Sequence, residues 1–329
     1  MIKRILTINF GGLGDEILFL PALISLKKEY PNAKITLALE SRSKSIQQLT
    51  DIIDDVILVD IKGKNRYFEI FNLITKAIFG NYQMVVSSGG SPLISIIEFL
   101  TFIPKRYGYD TGWLSRKLLT KAIPLNKNQY AGKMYHDLVS AVTDVKTELP
   151  QISIKPEEKQ QNTVLIHPGV SLMSKQKGCI KSITSKEWAE LIDRLSAYGK
   201  RVILAGGPDD EECIKEIIEY SKTKNFENYY GKTKNLADLA KLISTSEKFV
   251  CSDSAPLHIA VAMGVKTYPF FGSTDDKKLV PQNNMVVPLK AHDNCPLKPC
   301  LWERRMTSCE ELSCLKYDFS EVARIICEE

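Results

Sequence analysis

The feature that most constrains the fold is an alternation of short apolar runs with longer amphipathic stretches, repeated in two series. The first series has strand-like runs at residues 5–9, 35–39, 57–59 and 84–87 and helix-like stretches at 16–29 and 67–78. The second has strand-like runs at 164–167, 201–205, 248–251 and 267–271 and helix-like stretches at 185–198, 210–220, 236–244 and 256–263. This alternation is typical of parallel sheets with helical crossovers. The sequence therefore predicts an α/β chain with two mainly parallel sheets.

A polar connector separates the two series. Residues 149–162 are rich in charged and amide side chains, as expected of an exposed linker. With 329 residues, 44% of them hydrophobic, the chain is long enough for two cores of about 150 residues each. We predict domains at residues 1–155 and 156–329, and we allow for a final helix that packs back on the N-terminal domain.

Composition excludes several classes of protein. The formal net charge of +5 is modest, and no segment gathers the basic residues of a nucleic-acid groove. The N-terminal apolar run is shorter than that of a signal peptide, and the apolar stretch at 94–103 is interrupted by Glu98, far short of the roughly 18 residues of a membrane span. We expect a cytoplasmic protein without a nucleic-acid partner, whose contact with a membrane would be peripheral.

A glycine-rich loop follows the first predicted strand. Gly12 and Gly14 begin a dinucleotide-like fingerprint, but Ile17 stands where its third glycine belongs. A carboxylate at Asp15, by the positive end of the helix, would repel a pyrophosphate there. Asp15 is better suited to accept a proton from an attacking hydroxyl, and helix capping is the alternative interpretation.

A basic loop follows the strand at 164–167. It contains Gly169 and Ser171 and then the lysines Lys175, Lys177 and Lys181. Cationic side chains beside small residues suit a diphosphate, although a solvated basic loop is the plainer interpretation.

The turn after the strand at 248–251 is a second candidate for phosphate binding. Backbone N–H groups of Ser254 and Ala255 at a helix start would stabilise a departing phosphate, and His258 lies one helical turn further on. Asp253 would orient donor hydroxyls or His258, unless it is only the N-cap.

Other loops at the same predicted sheet edge add polar groups. Asp210 and Glu211 follow a strand and are suited to a ribose diol, and Thr233 lies in a further small turn.

Four cysteines lie close together near the end of the sequence, at positions 295, 300, 309 and 314. Cys295, Cys300, Cys309 and Cys314 would supply enough thiolates for a structural zinc or iron site, although their spacing lacks the usual CxxC pair. Disulfides and unpaired buried thiols are the alternatives.

Taken in order, these segments resemble glycosyltransferase family nine, the bacterial ADP-heptose lipopolysaccharide heptosyltransferases. The matching segments are Gly11 to Asp15, Leu20 to Leu23, Tyr30-Pro31, Arg106 to Tyr109, His167 to Gly169, Lys181, Trp188 to Leu191, Gly206 to Pro208, Gly231 to Thr233, Asp253 to His258 and Phe271 to Asp275. The resemblance covers essentially the whole chain. It implies a GT-B architecture, two Rossmann-like domains facing a central cleft, with the acceptor bound by the N-terminal domain and the donor held mainly by the C-terminal one.

The resemblance also implies residue roles. The family's general base falls on Asp15, its phosphate-binding lysine on Lys181, its donor loop on 253–258, and its ribose-binding acid on Asp210 or Glu211. Two departures touch the donor pocket: the loop at 171–180 looks long, and Ala255 replaces a glycine and so limits positive φ.

The expected activity is inverting, metal-independent transfer of a sugar, heptose from ADP-heptose, to a hydroxyl of a lipopolysaccharide core or another bacterial surface glycan. No cofactor is required, and the enzyme would contact the cytoplasmic face of the inner membrane. The alternatives are a protein O-heptosyltransferase, a non-catalytic nucleotide-sugar-binding module, and a GT-B epimerase acting on a UDP-sugar.

Overall fold

The computed structural model of the chain describes residues 2–176, 178–179, 181–291, 295–303 and 309–328. The chain divides into two compact units, Met1–Ser153 and Ile154–Glu329. The division falls inside the polar connector, two residues before the predicted boundary. The acceptor and donor roles assigned to the two domains stay predictions.

The first unit is built on a six-stranded parallel sheet. Its elements are β1 (Arg4–Ile8), α1 (Leu13–Glu29), β2 (Lys34–Leu39), a 3-10 helix (Ser41–Gln48), β3 (Asp55–Leu58), α2 (Arg66–Phe79), β4 (Met84–Ser87), α3 (Pro92–Leu100), β5 (Lys105–Tyr109), α4 (Trp113–Leu118), β6 (Lys121–Ile123) and α5 (Ala131–Asp137). The strand order is β3-β2-β1-β4-β5-β6. All four residues of β4 and the last four of β1 are buried, as expected of strands covered by helices on both faces.

The second unit has the same design. Its elements are β7 (Gln160–His167), α6 (Leu172–Gln176), α7 (Ser185–Ala197), β8 (Arg201–Leu204), a 3-10 turn (Pro208–Asp210), α8 (Glu211–Tyr220), β9 (Phe226–Asn228), α9 (Leu236–Thr245), β10 (Ser246–Ser252), α10 (Ala255–Ala262), β11 (Lys266–Phe271), α11 (Asp276–Leu279), β12 (Leu289–Lys290), α12 (Cys300–Glu303), a 3-10 turn (Ser313–Leu315) and α13 (Phe319–Glu328). The strand order is β12-β11-β10-β7-β8-β9.

Both orders are the doubly wound arrangement of a Rossmann fold, in which the chain reverses direction across the sheet beside the first strand. The switch points lie between β1 and β4 and between β7 and β10, which pair in parallel. The prediction of two parallel α/β sheets is therefore confirmed. Ligands of such sheets bind at the carboxyl ends of the strands at this point.

Aromatic side chains pack against one another in the core of the second unit. Trp188 of α7 is fully buried and meets Phe270 of β11 edge to face, with ring centroids 5.0 Å apart. The buried side chains of α13, Val322 and Ile326 among them, join the same core, and α13 packs against α7. The final helix thus belongs to the second unit, and a further contact with the first domain stays a prediction.

The sequence placed some boundaries wrongly and missed several elements. Residues 160–162, expected in the connector, are the first residues of β7. Four strands were not predicted: β5, β6, β9 and β12. They have five residues or fewer and carry charged or polar side chains, so no apolar run marks them.

In the described part of the chain, no helix combines the length and hydrophobicity that spanning a bilayer requires.

Candidate functional site

Asp15 lies in the first turn of α1, beside the switch point of the first sheet. Helix α1 begins after Gly12, and the N–H of Gly12 donates to Oδ2 of Asp15 at 2.8 Å. The other carboxylate oxygen, Oδ1, accepts a hydrogen bond from the Tyr135 hydroxyl at 3.2 Å. Asp15 therefore takes part in helix capping, the alternative left open by the sequence, and also has a second, long-range contact.

Gly11 of this loop is required by the close approach of the Asp15 side chain. A Cβ on Gly11 would overlap the Asp15 side chain, and one on Gly12 would come within 3.3 Å of the Arg42 guanidinium. Gly14 is half-buried in the first turn of α1. The loop thus folds closely around the Asp15 carboxylate. This close packing explains the glycines of the loop, so a bound dinucleotide is not needed to account for them.

Tyr135 is a site residue that sequence reasoning missed. It lies on α5, packs edge to face on Phe19 with centroids 5.7 Å apart, and reaches Asp15 across 120 positions of sequence. Burial, and then the charge of Asp15, raise the pKa of Tyr135 well above its usual range, so the phenol stays protonated and donates. No strand or glycine-rich turn marks this tyrosine in the sequence.

Glu16, next to Asp15, faces the interior. It is 1% exposed, and burial, followed by the charge of Asp15, raises its pKa well above the usual range. Burial thus favours the protonated form of Glu16, and Asp15 is the half-buried acid of the pair that retains access to solvent.

The second unit brings Lys181 and Asp253 together. The Lys181 ammonium lies 2.9 Å from Oδ2 of Asp253, and the Thr274 hydroxyl donates to the same oxygen at 2.8 Å. Asp253 directly follows β10, but the N-cap of α10 is Ser254. The interpretation of Asp253 as a plain N-cap is therefore wrong.

Serine hydroxyls, also missed by sequence reasoning, join the loops around this pair. The hydroxyl of Ser252 donates to the Pro168 carbonyl at 2.7 Å and bonds Ser182 at 2.9 Å. The Trp188 indole N–H donates to Ser182 at 3.1 Å. The loops after β7 and β10 and the segment carrying Lys181 are thus fixed to one another.

Helix α10 presents its N-terminus beside Asp253. Ser254 has extended backbone angles and its side chain makes no capping hydrogen bond. Ala255 begins the helix and is not among the described residues with left-handed φ, so its Cβ meets no backbone strain there, and its effect on the geometry of the donor stays a prediction. His258 is buried one turn into the helix, at 4% exposure.

Asp210 is buried at the ends of β7 and β8. Its Oδ2 accepts the Gly207 N–H at 2.9 Å and lies 4.0 Å from Nε2 of His167, and its Oδ1 lies 3.8 Å from the Lys175 ammonium. A Cβ on Gly169 would overlap this carboxylate. Burial lowers the pKa of His167, although the charge of Asp210 opposes that shift, so the imidazole is neutral at pH 7.

Glu211 differs from Asp210 in its surroundings. It is exposed and pairs with Lys215 one turn along α8, at 2.7 Å. The structure therefore separates the two candidate acids: Asp210 lies among polar groups at the sheet edge, and Glu211 lies on the helix surface.

Two remaining residues of the predicted donor site lie further out. Ser171 is exposed and its hydroxyl bonds that of Ser174 at 3.0 Å. Thr233 is half-buried in the loop after the edge strand β9, and no described hydrogen bond joins it to Asp210 or Lys181. Lys177 lies outside the described residues.

The four clustered cysteines are not disulfide-bonded. Burial raises the pKa of Cys300, and the nearby thiols of Cys295 and Cys309 raise it further. Cys314 is buried in the core of the second unit, next to Gly272. Over residues 295–303 and 309–328, no three His, Cys, Asp or Glu side chains are arranged to hold a metal ion, and the structural metal site stays a prediction.

Two doubly wound parallel sheets, each with polar loops at its switch point, define a protein of the GT-B fold. Comparison with known families then gives the particular class. The chain belongs to glycosyltransferase family 9 (heptosyltransferase), whose model matches residues 72–308. This match begins after Asp15, so it covers the loops of the second unit and not the proposed base.

Relatives match over most of their length. An Escherichia coli protein, lipopolysaccharide heptosyltransferase 3, is 27% identical over 85% of this chain and 86% of the relative. A Campylobacter jejuni protein, lipooligosaccharide heptosyltransferase 2, is 21% identical over 88% and 87%.

Solved structures agree in fold. A family 9 glycosyltransferase from Veillonella parvula superposes with a TM-score of 0.74 at 21% identity, over 99% of this chain and 97% of that one. The E. coli heptosyltransferase WaaC with ADP also gives 0.74, at 18% identity and 99% coverage of both chains.

Proposed function

We propose that this protein transfers a heptose from ADP-heptose to a hydroxyl of a lipopolysaccharide core or a related bacterial surface glycan, with inversion and without a catalytic metal. The observation that carries the proposal is the Lys181–Asp253 pair directly before the N-terminus of α10. The relatives are named as heptosyltransferases of lipopolysaccharide and lipooligosaccharide, and the E. coli WaaC structures hold ADP and an ADP-linked fluoro-heptose, which supports the choice of donor.

The second unit would hold the donor diphosphate. The Lys181 ammonium supplies a positive charge, and Ser254 and Ala255 lie at the N-terminus of α10, where backbone amides and the helix dipole favour an anion. These groups stabilise negative charge that grows on the diphosphate as the sugar leaves, which lowers the barrier to transfer. Asp253 and Thr274 position the lysine for this contact.

Asp210 would bind the ribose diol. Its carboxylate lies at the end of β8 beside the neutral His167, with Oδ1 making no hydrogen bond to a described residue. Gly169 leaves room for this carboxylate, since any larger residue would displace it.

Asp15 of the first unit would act as the base. As the acceptor oxygen forms its bond to the anomeric carbon, its proton passes to Asp15, and the bond from that carbon to the diphosphate oxygen breaks with its electron pair leaving on the diphosphate. One displacement on the opposite face inverts the anomeric centre. Tyr135 and the Gly12 amide hold the carboxylate in place.

The cysteine cluster has no part in this mechanism. Four thiols suit structural zinc or iron, no group of three metal-ligating side chains is found among the described residues, and we derive no step through a metal. Metal analysis of protein purified without chelator tests the structural site directly.

The acceptor would be met at a membrane. A lipopolysaccharide precursor is a glycolipid, so a peripheral contact with the cytoplasmic face of the inner membrane belongs to the proposal.

The test is a donor and acceptor matrix. Purified protein is incubated with ADP-heptose or with UDP-sugars, with and without a lipopolysaccharide core acceptor, and nucleotide release and the anomeric configuration of the product are measured. We expect acceptor-dependent ADP release and inversion. Turnover of UDP-sugars without acceptor would indicate an epimerase, transfer to protein would indicate the O-heptosyltransferase alternative, and binding without turnover would indicate a non-catalytic module.

A further inference from the structure

The outer surface of α2, α3 and α4 is unusually apolar. Of the fourteen large hydrophobic side chains that are exposed in the described part of the chain, ten lie between residues 67 and 113. Six aromatic ones among them are 62–79% exposed: Tyr67, Phe68, Phe71, Phe79, Phe102 and Trp113. Helix α2 contacts α3, and α3 contacts α4, so the three helices form one surface, which we call the aromatic face.

The core does not need these aromatic side chains. Helix α2 buries Leu73 and Ala77 in the core of the first unit, while Tyr67 and Phe71 lie on another side of the helix. Single exposed apolar residues are ordinary on protein surfaces, but a contiguous patch marks a binding surface.

Positive charge surrounds the aromatic face. Residues 62–121 contain nine Lys and Arg and three Asp and Glu, a net charge of +6 where the whole chain has +5. One of the three acids, Glu98, is buried, and another, Asp110, pairs with Arg116 at 2.9 Å. The charge excess of the chain is thus concentrated in this one segment.

On the aromatic face, basic side chains lie over aromatic rings. The Arg66 guanidinium lies 4.7 Å from the Tyr67 ring centroid, and the Lys117 ammonium lies 5.5 Å from that of Trp113. Side chains of this kind bury their apolar parts at a membrane interface and keep their charges at the level of the headgroups.

We propose that the aromatic face binds the surface of a lipid bilayer that carries anionic headgroups. Charge selects this partner: anionic lipids attract clustered Lys and Arg, whereas a second copy of the chain would bring the same positive surface against itself. The inference deepens the proposed function, on which it rests, because it gives an enzyme with a glycolipid acceptor its site of attachment to the membrane.

The experiment uses the full chain and vesicles of phosphatidylcholine, with and without phosphatidylglycerol. We expect co-sedimentation with the anionic vesicles that weakens at high salt. The variant F68S/F71S/F79S and the variant K76Q/K117Q should each reduce binding about tenfold or more. The matched control Y198S/Y220S removes two exposed aromatic residues of the second unit and should bind as the wild type does.

Two further readouts keep the outcome clear. Circular dichroism and thermal melting show that the variants fold, and light scattering shows whether the face joins two copies instead. Equal vesicle binding by all variants, or a dimer that only the aromatic variant abolishes, would overturn the proposal. Transfer to a water-soluble, deacylated acceptor should be unchanged in the variants; if the wild type transfers to no acceptor, the proposed function fails while the vesicle result still stands.

Discussion

The Lys181 ammonium and Oδ2 of Asp253 lie 2.9 Å apart, although 72 positions of sequence separate the two residues. Both side chains are largely buried, at 16% and 5% exposure, so solvent screens their attraction little. Asp253 directly precedes Ser254, the N-cap of α10, where backbone amides and the helix dipole contribute positive potential. This is where the proposed function places the donor diphosphate.

Replacing Lys181 by Ala should weaken ADP binding by about 10- to 100-fold and slow transfer as well, because a charge-assisted hydrogen bond to the diphosphate is lost in both the ground state and the transition state. Isothermal titration with ADP and steady-state kinetics measure the two effects. Lys215→Ala is the matched control, since Lys215 also pairs with a carboxylate, Glu211, but on the exposed surface of α8. Equal ADP affinity in the two variants would contradict the assignment.

Replacing Asp15 by Asn should reduce kcat by about 10²- to 10⁴-fold and leave ADP affinity unchanged, because the amide cannot accept the proton of the acceptor. The amide oxygen can still accept from the Gly12 N–H, so the melting temperature should change little. Asp144→Asn, at an exposed position, serves as the control. Wild-type turnover in the Asp15 variant would remove Asp15 from the mechanism.

Asp210 and Glu211 should differ in their effect on nucleotide affinity. Asp210→Asn changes a buried carboxylate next to His167 and Gly169, and we expect ADP binding to weaken by about tenfold. Glu211→Gln changes an exposed residue and should leave ADP affinity unchanged. The reverse pattern would assign the ribose contact to Glu211 instead.

Glu98→Gln should stabilise the protein at neutral and alkaline pH. Glu98 is 0% exposed and neither carboxyl oxygen has a hydrogen-bond partner among the described residues. Burial raises its pKa well above 4.5, although the charge of Arg106 opposes this. Folded protein therefore keeps a proton on Glu98 that the unfolded chain loses above about pH 4.5. As a result, the free energy of unfolding falls as the pH rises, until the pKa of Glu98 in the folded state is reached.

Denaturant unfolding at several pH values measures this effect. The free energy of unfolding of Glu98→Gln should exceed that of the wild type by about 1 kcal/mol or more at pH 8, with a smaller difference at pH 5. Glu69→Gln, on the half-exposed part of α2, should show no such trend. A difference that is independent of pH would mean that Glu98 is ionised in the folded protein.

Much of the fold was predictable because long buried strands carry a local signal. The runs that became β1, β2, β4, β7 and β10 are apolar on both faces, and glycine or proline follows most of them, so periodicity located them to within a few residues. The edge strands β6, β9 and β12 carry no such run, since an edge strand is short and faces solvent on one side.

The site was predictable only in part. Loops that directly follow strands could be proposed from sequence, and the structure brings Lys181 to Asp253 and Asp210 to Gly169 as neighbours. Tyr135, Ser182 and Thr274 gave no signal, because each acts through a partner from a distant element.

The sequence by itself determined the class of fold, the two series of strands and helices, and the loops that carry the candidate site residues. It could do so because the spacing of apolar residues and the choice of turn residues are local properties of the chain. Only the tertiary structure decided which acid lies inside the site and which lies on the surface, that a tyrosine from α5 holds Asp15, and that the unused aromatic side chains of α2, α3 and α4 form one face. The physical reason is that strand order and helix packing join residues far apart in sequence, such as Asp15 and Tyr135 at 120 positions, and the burial and charge that result are properties of the packed molecule.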